Sequence, residues 1–437
     1  MKLTDELLKE CVDRLKVNQK KFKKYKDYYD GQHDIVNDYA YQESRSNMTV
    51  VVNYFKKFIN DEIAYALGNP VNYISYEGDT EVAELIDQHF SHWAKVHDQH
   101  LMKQANIYGE SYELQYIADN EFKATVLNPL NCFVMESGGA DRNVVLAVHE
   151  YKEHLFSGEV RYDVYHENKV YTYSEKLEQL NVQGINFEAP PLRVCAANPE
   201  RQSMLDDIKS ENDAYNVVLS DLVNEVSDFR QAFLKIVGAK LEPDEANKMK
   251  KSGIIQTGGN ADISYLIKEI NDTFVQNLLG TLEEKIYKLA SHIDTNEKLQ
   301  SNVSGSALRS RMIALENKCI LMQSMLEQTI KARLKNFFRY IYFLTGKEYD
   351  YRKIKLKFTM NIPNDILLLA DTISKLRDTV SQRTLLTLLP FVENAELELE
   401  QFYAERKKAM EGMLDLDALE RIGLNEKAVA GDTVDDG

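Results

Sequence analysis

Histidines are the best candidates for chemistry in this chain. In "HFSHWAKVHDQH", His89, His92, His97 and His100 fall at about 0°, 300°, 80° and 20° around a helix turning about 100° per residue, so one helix would gather them on one face. Neutral imidazoles so spaced can hold a transition metal, His89 with His92 or His97 with His100. The same pattern describes a polar helix face with histidines at subunit contacts; that reading is adopted, and no metal is assigned. "HEYKEH", His149 to His154, has one residue too many between its histidines for a zinc-protease helix, and it lies in strand-like alternation. There is no G-x-x-x-x-G-K-[ST], no G-x-G-x-x-G after a strand, no G-x-S-x-G and no H-E-x-x-H. Carboxylates are abundant, but no pair is set apart as a general acid and base. The expectation is a protein with no catalytic residue and no cofactor.

Composition narrows the class further. The chain has 437 residues, 44% hydrophobic and 28% charged, enough for a large core. The cysteines, Cys11, Cys132, Cys195 and Cys319, show no paired spacing and read as reduced, buried thiols. No apolar run approaches the roughly 18 to 20 residues that span a bilayer, and the N-terminal stretch lacks a signal-peptide core, so a cytosolic protein without membrane contact is expected. A formal charge of −16 argues against a classical duplex-binding domain, which would hold phosphates with Lys and Arg.

The elements that must position any site are mostly helical. An amphipathic helix is predicted over residues 3 to 30, with Leu3, Leu7, Cys11 and Leu15 on one face; the basic run Lys20, Lys21, Lys23, Lys24 and Lys26 reads as a solvated or inter-subunit face, with a phosphate-binding patch as the alternative. A second helix ends at Leu67, stopped by Gly68 and Pro70, and a third is predicted from Thr80 to Tyr108. The period then changes to two. "ESYELQYIAD", "FKATVLN", "CFVMES", "NVVLAVHEYKEH", "EVRYDVYHENKVYTYSE" and "INFEA" read as short strands, with turns at His166 to Lys169 and at Gly138-Gly139.

Helical period returns from Met204 to Val237, a helix of roughly 50 Å. "EPDEANKMKKSG" reads as a helix and "IIQTGGNADISYLI" as two strands around Gly258-Gly259. A helix from Lys268 to His292 follows, with an apolar stripe from Ile270 to Leu289, and another runs from Ser306 to Thr345. Between them lies the polar loop "DTNEKLQSNVSGSALR". "KIKLKFTMNIP" reads as a strand, further helices span Asp365 to Leu419, and residues 425–437 read as a disordered acidic tail. The fold class is α+β, mainly helical.

Five stretches, in order, resemble the portal proteins of tailed bacteriophages, specifically the siphophage group of Gram-positive hosts. They are "YYDGQHDI" (Tyr28 to Ile35), "VVNYFKKFINDEIAYALGNPVNY", "NPERQSMLDDIKSENDAYNVVLSDLVNEVSDFRQAFLKIVG", "SGSALRSRMIALENK" and "TVSQRTLLTLLPFVENAELELEQ". "PPLRVCAANPE" lacks the glycine usual in that family before its Asn-Pro, and residues 110–188 match in character only.

The resemblance implies an elongated protomer in a homo-oligomeric ring of about twelve copies. Residues 1–203 would be wing, 204–237 and 268–292 the two stem helices, 238–267 an α/β clip and 293–305 the tunnel loop. Residues 306–364 would be the long wing helix and strand, and 365–424 the remaining wing and crown helices. Loop residues Asn296, Lys298, Gln300, Asn302, Ser304 and Gly305 would face double-stranded DNA, bound without sequence preference. Lys248, Lys250, Lys251, Gly258 and Gly259 of the clip would meet the terminase packaging motor and the head-completion adaptor. Major capsid and scaffolding proteins would be further partners, with assembly in the host cytoplasm and residence at the portal vertex of the virion. A helical scaffold or adaptor without a DNA channel is the alternative, its stripes at Phe274 to Leu289 and Met312 to Leu344 serving as coiled-coil seams.

Overall fold

A computed structural model describes residues 2–229, 233–237, 262–266, 272–294, 305–361, 366–386 and 398–408, together with Leu389, Val392 and Ala395, and excepting Ser44, 77–79, Asp141, Leu155, Ser157 and Glu188. It divides into two compact units, Met1–Asn361 and Ile362–Gly437.

Helix α1 (Asp5–Tyr29) starts where Thr4 accepts a bond from the Leu7 amide, with Asp5 and Glu6 on the positive end of the helix dipole. A short turn, α2 (Ile35–Asp38), and α3 (Tyr54–Leu67) follow; Asn53 caps α3 by accepting from the Lys56 amide. Gly68 ends α3 at φ −62°, so a left-handed turn is not what requires glycine there. Close approach is: a Cβ at this position would lie 2.8 Å from Cβ of Asn361.

The third predicted helix is two, α4 (Thr80–Phe90) and α5 (Ala94–Tyr108), broken at Ser91–Trp93. The strands then build two antiparallel sheets. One has the order β3-β2-β9, from β2 (Glu110–Ala118), β3 (Glu121–Leu127) and β9 (Leu192–Ala196). The other runs β4-β5-β6-β7-β8, from β4 (Cys132–Glu136), β5 (Val144–Lys152), β6 (Val160–His166), β7 (Lys169–Ser174) and β8 (Gln179–Gly184). The hairpin at His166 to Lys169 forms as read, with Glu167 at φ 51° supplying the turn. "INFEA" is not a strand; β8 and β9, on either side of it, are.

Alternation decides what each sheet face covers. Leu146, Val148, Tyr162 and Val164 pack beneath Leu8, Cys11 and Leu15 of α1, while Ala147 and Tyr165 on the opposite face meet Tyr112 and Leu192 of the smaller sheet.

Helix α6 (Met204–Phe229) is shorter than predicted, and the segment read as its last turns is β10 (Phe233–Val237), paired antiparallel with β11 (Asp262–Leu266). The predicted partner of β11 within a Gly258-Gly259 hairpin lies outside the described residues, as do the predicted clip helix and the tail at 425–437. Helix α7 (Asp272–Leu289) returns against α6, and α8 (Gly305–Thr345), about 60 Å long, carries the main core stripe through Cys319, Met322, Leu326, Ile330, Leu334 and Phe337. Strand β12 (Ile354–Lys357) pairs with β1 (Asn72–Ser75), which the sequence reading missed. The second unit contains α9 (Ile366–Leu376), α10 (Gln382–Leu386) and helical residues 398–408. All four cysteines are buried and free.

Candidate functional site

Of the predicted loop residues, Asn296, Lys298, Gln300, Asn302 and Ser304 lie outside the described residues, and Gly305 is the first residue of α8. The clip residues Lys248, Lys250, Lys251, Gly258 and Gly259 lie outside them too. What is on view is how the first root of that loop is held.

The first root is the C-terminus of α7. Ser291 takes φ 59°, its amide donates to Lys288 O at 3.1 Å, and the His292 amide donates to Tyr287 O at 2.9 Å. These two bonds form a Schellman motif with serine where glycine is usual. The reversal carries His292 back onto α3, where its ring stacks on Phe58, centroids 4.3 Å apart. His292 Nε2 lies 3.1 Å from Oε1 of Glu62, a carboxylate only 2% exposed.

Helix α8 joins the same site well inside its length rather than at its first turn: Lys318 Nζ lies 2.6 Å from the same oxygen and donates to Ala290 O at 3.1 Å. Asn106 Nδ2 donates to the other oxygen, Oε2, at 3.1 Å. One carboxylate on α3 therefore ties the end of α7 to α8, across the loop that joins them. Burial pushes the Glu62 carboxyl up, but the Lys318 ammonium and His292 outweigh it and hold it below the ordinary carboxylate value. Nearby, Tyr54 OH donates to Glu283 of α7 at 2.9 Å, and its ring meets Tyr215 of α6 and Tyr287 of α7 edge-on.

The polar flank of α6 has an unexpected occupant. Asn212, Asn216, Ser220, Asn224 and Asp228 recur every fourth residue and hold the extended segment 46–52 along the helix. Asp228 accepts from the Ser46 amide at 2.8 Å. Asn224 accepts from the Met48 amide at 2.7 Å and donates to Met48 O at 2.9 Å. Ser220 accepts from the Val50 amide at 2.9 Å, Asn216 from the Val52 amide at 2.9 Å, and Asn212 donates to Val52 O at 2.9 Å. Each step of four residues rotates about 40° around a helix, so the segment winds over α6 as it runs along it. The first four rungs are buried, which removes them from any surface that α6 could present to a channel.

The histidines do not share a face, because the break at Ser91–Trp93 interrupts the helical phase on which that expectation rested. His92 is exposed, His89 packs edge-on against Phe337, and His100 contacts Gln104. His97 enters a buried cluster that sequence reading missed. Arg333, fully buried on α8, donates from Nε to Glu113 at 3.0 Å and from Nη2 to Asp98 at 2.7 Å, and its guanidinium lies over Trp93. His97 Nε2 is 2.8 Å from the same Glu113. Burial pushes Glu113 up, yet Arg333 and His97 hold it well below the usual carboxylate range. The available signal was a single arginine in the apolar stripe of α8. The cluster ties α8 and α5 to β2, and its four charged or titratable side chains are buried. Among the described residues, no three His, Cys, Asp or Glu side chains converge to hold a metal ion.

Long helices tied to one another, a strand pair and a sheet-bearing body define an α+β protein. The chain belongs to the phage portal protein family: the family model "Phage portal protein, SPP1 Gp6-like" matches residues 8–412. It is 23% identical over 327 residues to the portal protein of Clostridium phage phiCD119, covering 68% of this chain and 70% of that one. Among solved structures it resembles a chain in the neck of an empty GTA particle, computed with C6 symmetry, at TM-score 0.48 and 11% identity over 78% of this chain and 88% of the other. It also resembles one in the neck of the native GTA particle, computed with C12 symmetry, at TM-score 0.47 and 13% identity over 76% and 88%.

Proposed function

We propose that copies of this chain assemble head to tail into a ring of about twelve, set at one capsid vertex, whose central channel passes double-stranded DNA during packaging and ejection. The observation that carries the reading is the family match across residues 8–412. Helices α6 and α7 would be the stem, with β10 and β11 starting the clip where the terminase motor and the adaptor dock. Residues 293–305 would be the tunnel loop at the constriction, its first root held at His292 by Glu62. Capsid and scaffolding proteins would meet the outer surface during assembly in the host cytoplasm. The role is structural: packaging energy comes from the separate motor, and this chain contributes no catalytic step.

The charge suits a conduit. Contacts to phosphates are sequence-independent and let a duplex slide, and their hold weakens steeply as salt rises. A formal charge of −16 is in keeping with a loose hold of this kind rather than a clamp. Deleting Lys298–Ser301 tests the loop: rings of normal size should form, while packaging or retention of DNA fails. Normal packaging in that variant would return the loop to an ordinary connection.

A further inference from the structure

The extended segment 46–52 has two edges, and α6 satisfies one of them. Every ladder bond goes to Ser46, Met48, Val50 or Val52. In extended chain the backbone groups of successive residues point to opposite edges, so those of Asn47, Thr49 and Val51 point away from α6. Among the described residues, the Thr49 and Val51 backbones make no hydrogen bond, and Thr49 is exposed.

Proteins ordinarily protect such an edge with lysine, proline or an inward charge, because an open edge is a template for any passing strand. Its own residues supply no such protection: Ser46 to Asn53, "SNMTVVVN", contains no charged residue and no proline. Tyr41 and Met48 add exposed apolar surface beside it. With no Lys or Arg from Ser46 to Asn53, the edge is not a phosphate-binding surface either.

We infer that the outer edge at Asn47–Val51 is an inter-subunit strand site, closed by an extended segment of a second copy of this chain. The inference rests on the ring proposed above. An unprotected edge is safe only where it is covered permanently. A closed head-to-tail ring does this, because each copy presents two different faces and every edge is used once. A transient partner would leave the edge open for most of the protein's life. Backbone pairing of this kind is strand addition: main-chain bonds supply affinity, and the exposed side chains set register.

Amide hydrogen exchange on the full chain tests this, comparing assembled rings with unassembled protein. Met48, Val50 and Val52 should exchange slowly in both states, since α6 holds them in each copy. Asn47, Thr49 and Val51 should slow by about tenfold or more only in the ring. Thr49→Pro removes an outward N–H that the single chain does not use. It should keep Met48 and Val50 protected while lowering the assembled fraction by about tenfold, as expected from the loss of a main-chain bond at each interface. Rings in which Asn47, Thr49 and Val51 exchange as fast as in unassembled protein would overturn the inference while leaving the ring itself standing. Normal ring assembly by Thr49→Pro would overturn it as well. If the variant loses Met48 and Val50 protection, the wild-type comparison alone decides. A chain that never forms rings would refute the assembly reading, and this inference with it.

Discussion

Replacing Glu62 by glutamine asks whether one carboxylate ties the end of α7 to α8. Glutamine preserves shape and volume but offers one acceptor oxygen where three donors converge: Lys318 Nζ, His292 Nε2 and Asn106 Nδ2. Its amide nitrogen must then face a donor. A hydrogen bond to a charged group contributes about 1.5–3 kcal/mol, and stripping a buried ion of its partner costs about 3–5 kcal/mol. Lys318 keeps 29% of its side-chain surface in solvent and can partly rehydrate, which lowers the upper figure. The expected loss is therefore about 2–4 kcal/mol, read as a lower urea midpoint of the unassembled chain at unchanged slope.

The pH dependence carries a sign. Glu62 lies below its ordinary value when folded, so its contribution is complete above the unfolded carboxylate pKa of about 4.3 and is lost as pH falls through the depressed folded value. Glu113 is depressed as well and makes both proteins acid-sensitive. The difference between wild type and Glu62→Gln isolates the site, and it should be constant near neutrality and shrink below about pH 4. A neutral-pH loss under about 0.5 kcal/mol, or a gap that does not close in acid, would refute the clamp.

Arg333→Met should destabilise the body by about 3–5 kcal/mol, since Asp98 and Glu113 stay buried without their cation, and soluble yield together with the unfolding midpoint reports it. Arg333→Lys should recover little, because an ammonium cannot reach both carboxylates in the guanidinium's fork geometry. Ser291→Gly should stabilise the chain by about 1 kcal/mol by relieving the left-handed conformation at the α7 terminus, visible as a raised midpoint, although glycine's looser unfolded state offsets part of the gain.

Periodicity carried most of the helical architecture, because α3 and α8 each bury one continuous stripe that is visible locally, whereas the stripe predicted on α7 is buried only in part, with Phe274 63% and Leu289 47% exposed. Elements decided by distant partners were not visible. Phe233–Val237 is apolar enough to extend a helix, and only pairing with Asp262–Leu266 makes it β10. Strand β1 depends in the same way on β12. The break between α4 and α5 has neither proline nor glycine. It is set by Trp93, which packs on Phe90, lies under Arg333 and donates from its indole to His89 O at 2.9 Å.

The flank of α6 that segment 46–52 covers is polar, and polarity alone does not announce a covering chain. The kind of polar residue was the missed clue: a solvated face favours Lys and Glu, whereas short amides and hydroxyls are poor helix formers suited to bonding nearby backbone. Glu62 and His292 are 230 residues apart, and no local pattern announces their meeting.

Electron-microscope imaging of the purified full-length chain tests the assembly claim most directly. End-on views should show closed rings of about twelve copies around a central hole wide enough for a duplex roughly 20 Å across. Particles without a hole, open filaments, or a chain that stays monomeric at every concentration and salt tested would contradict the account.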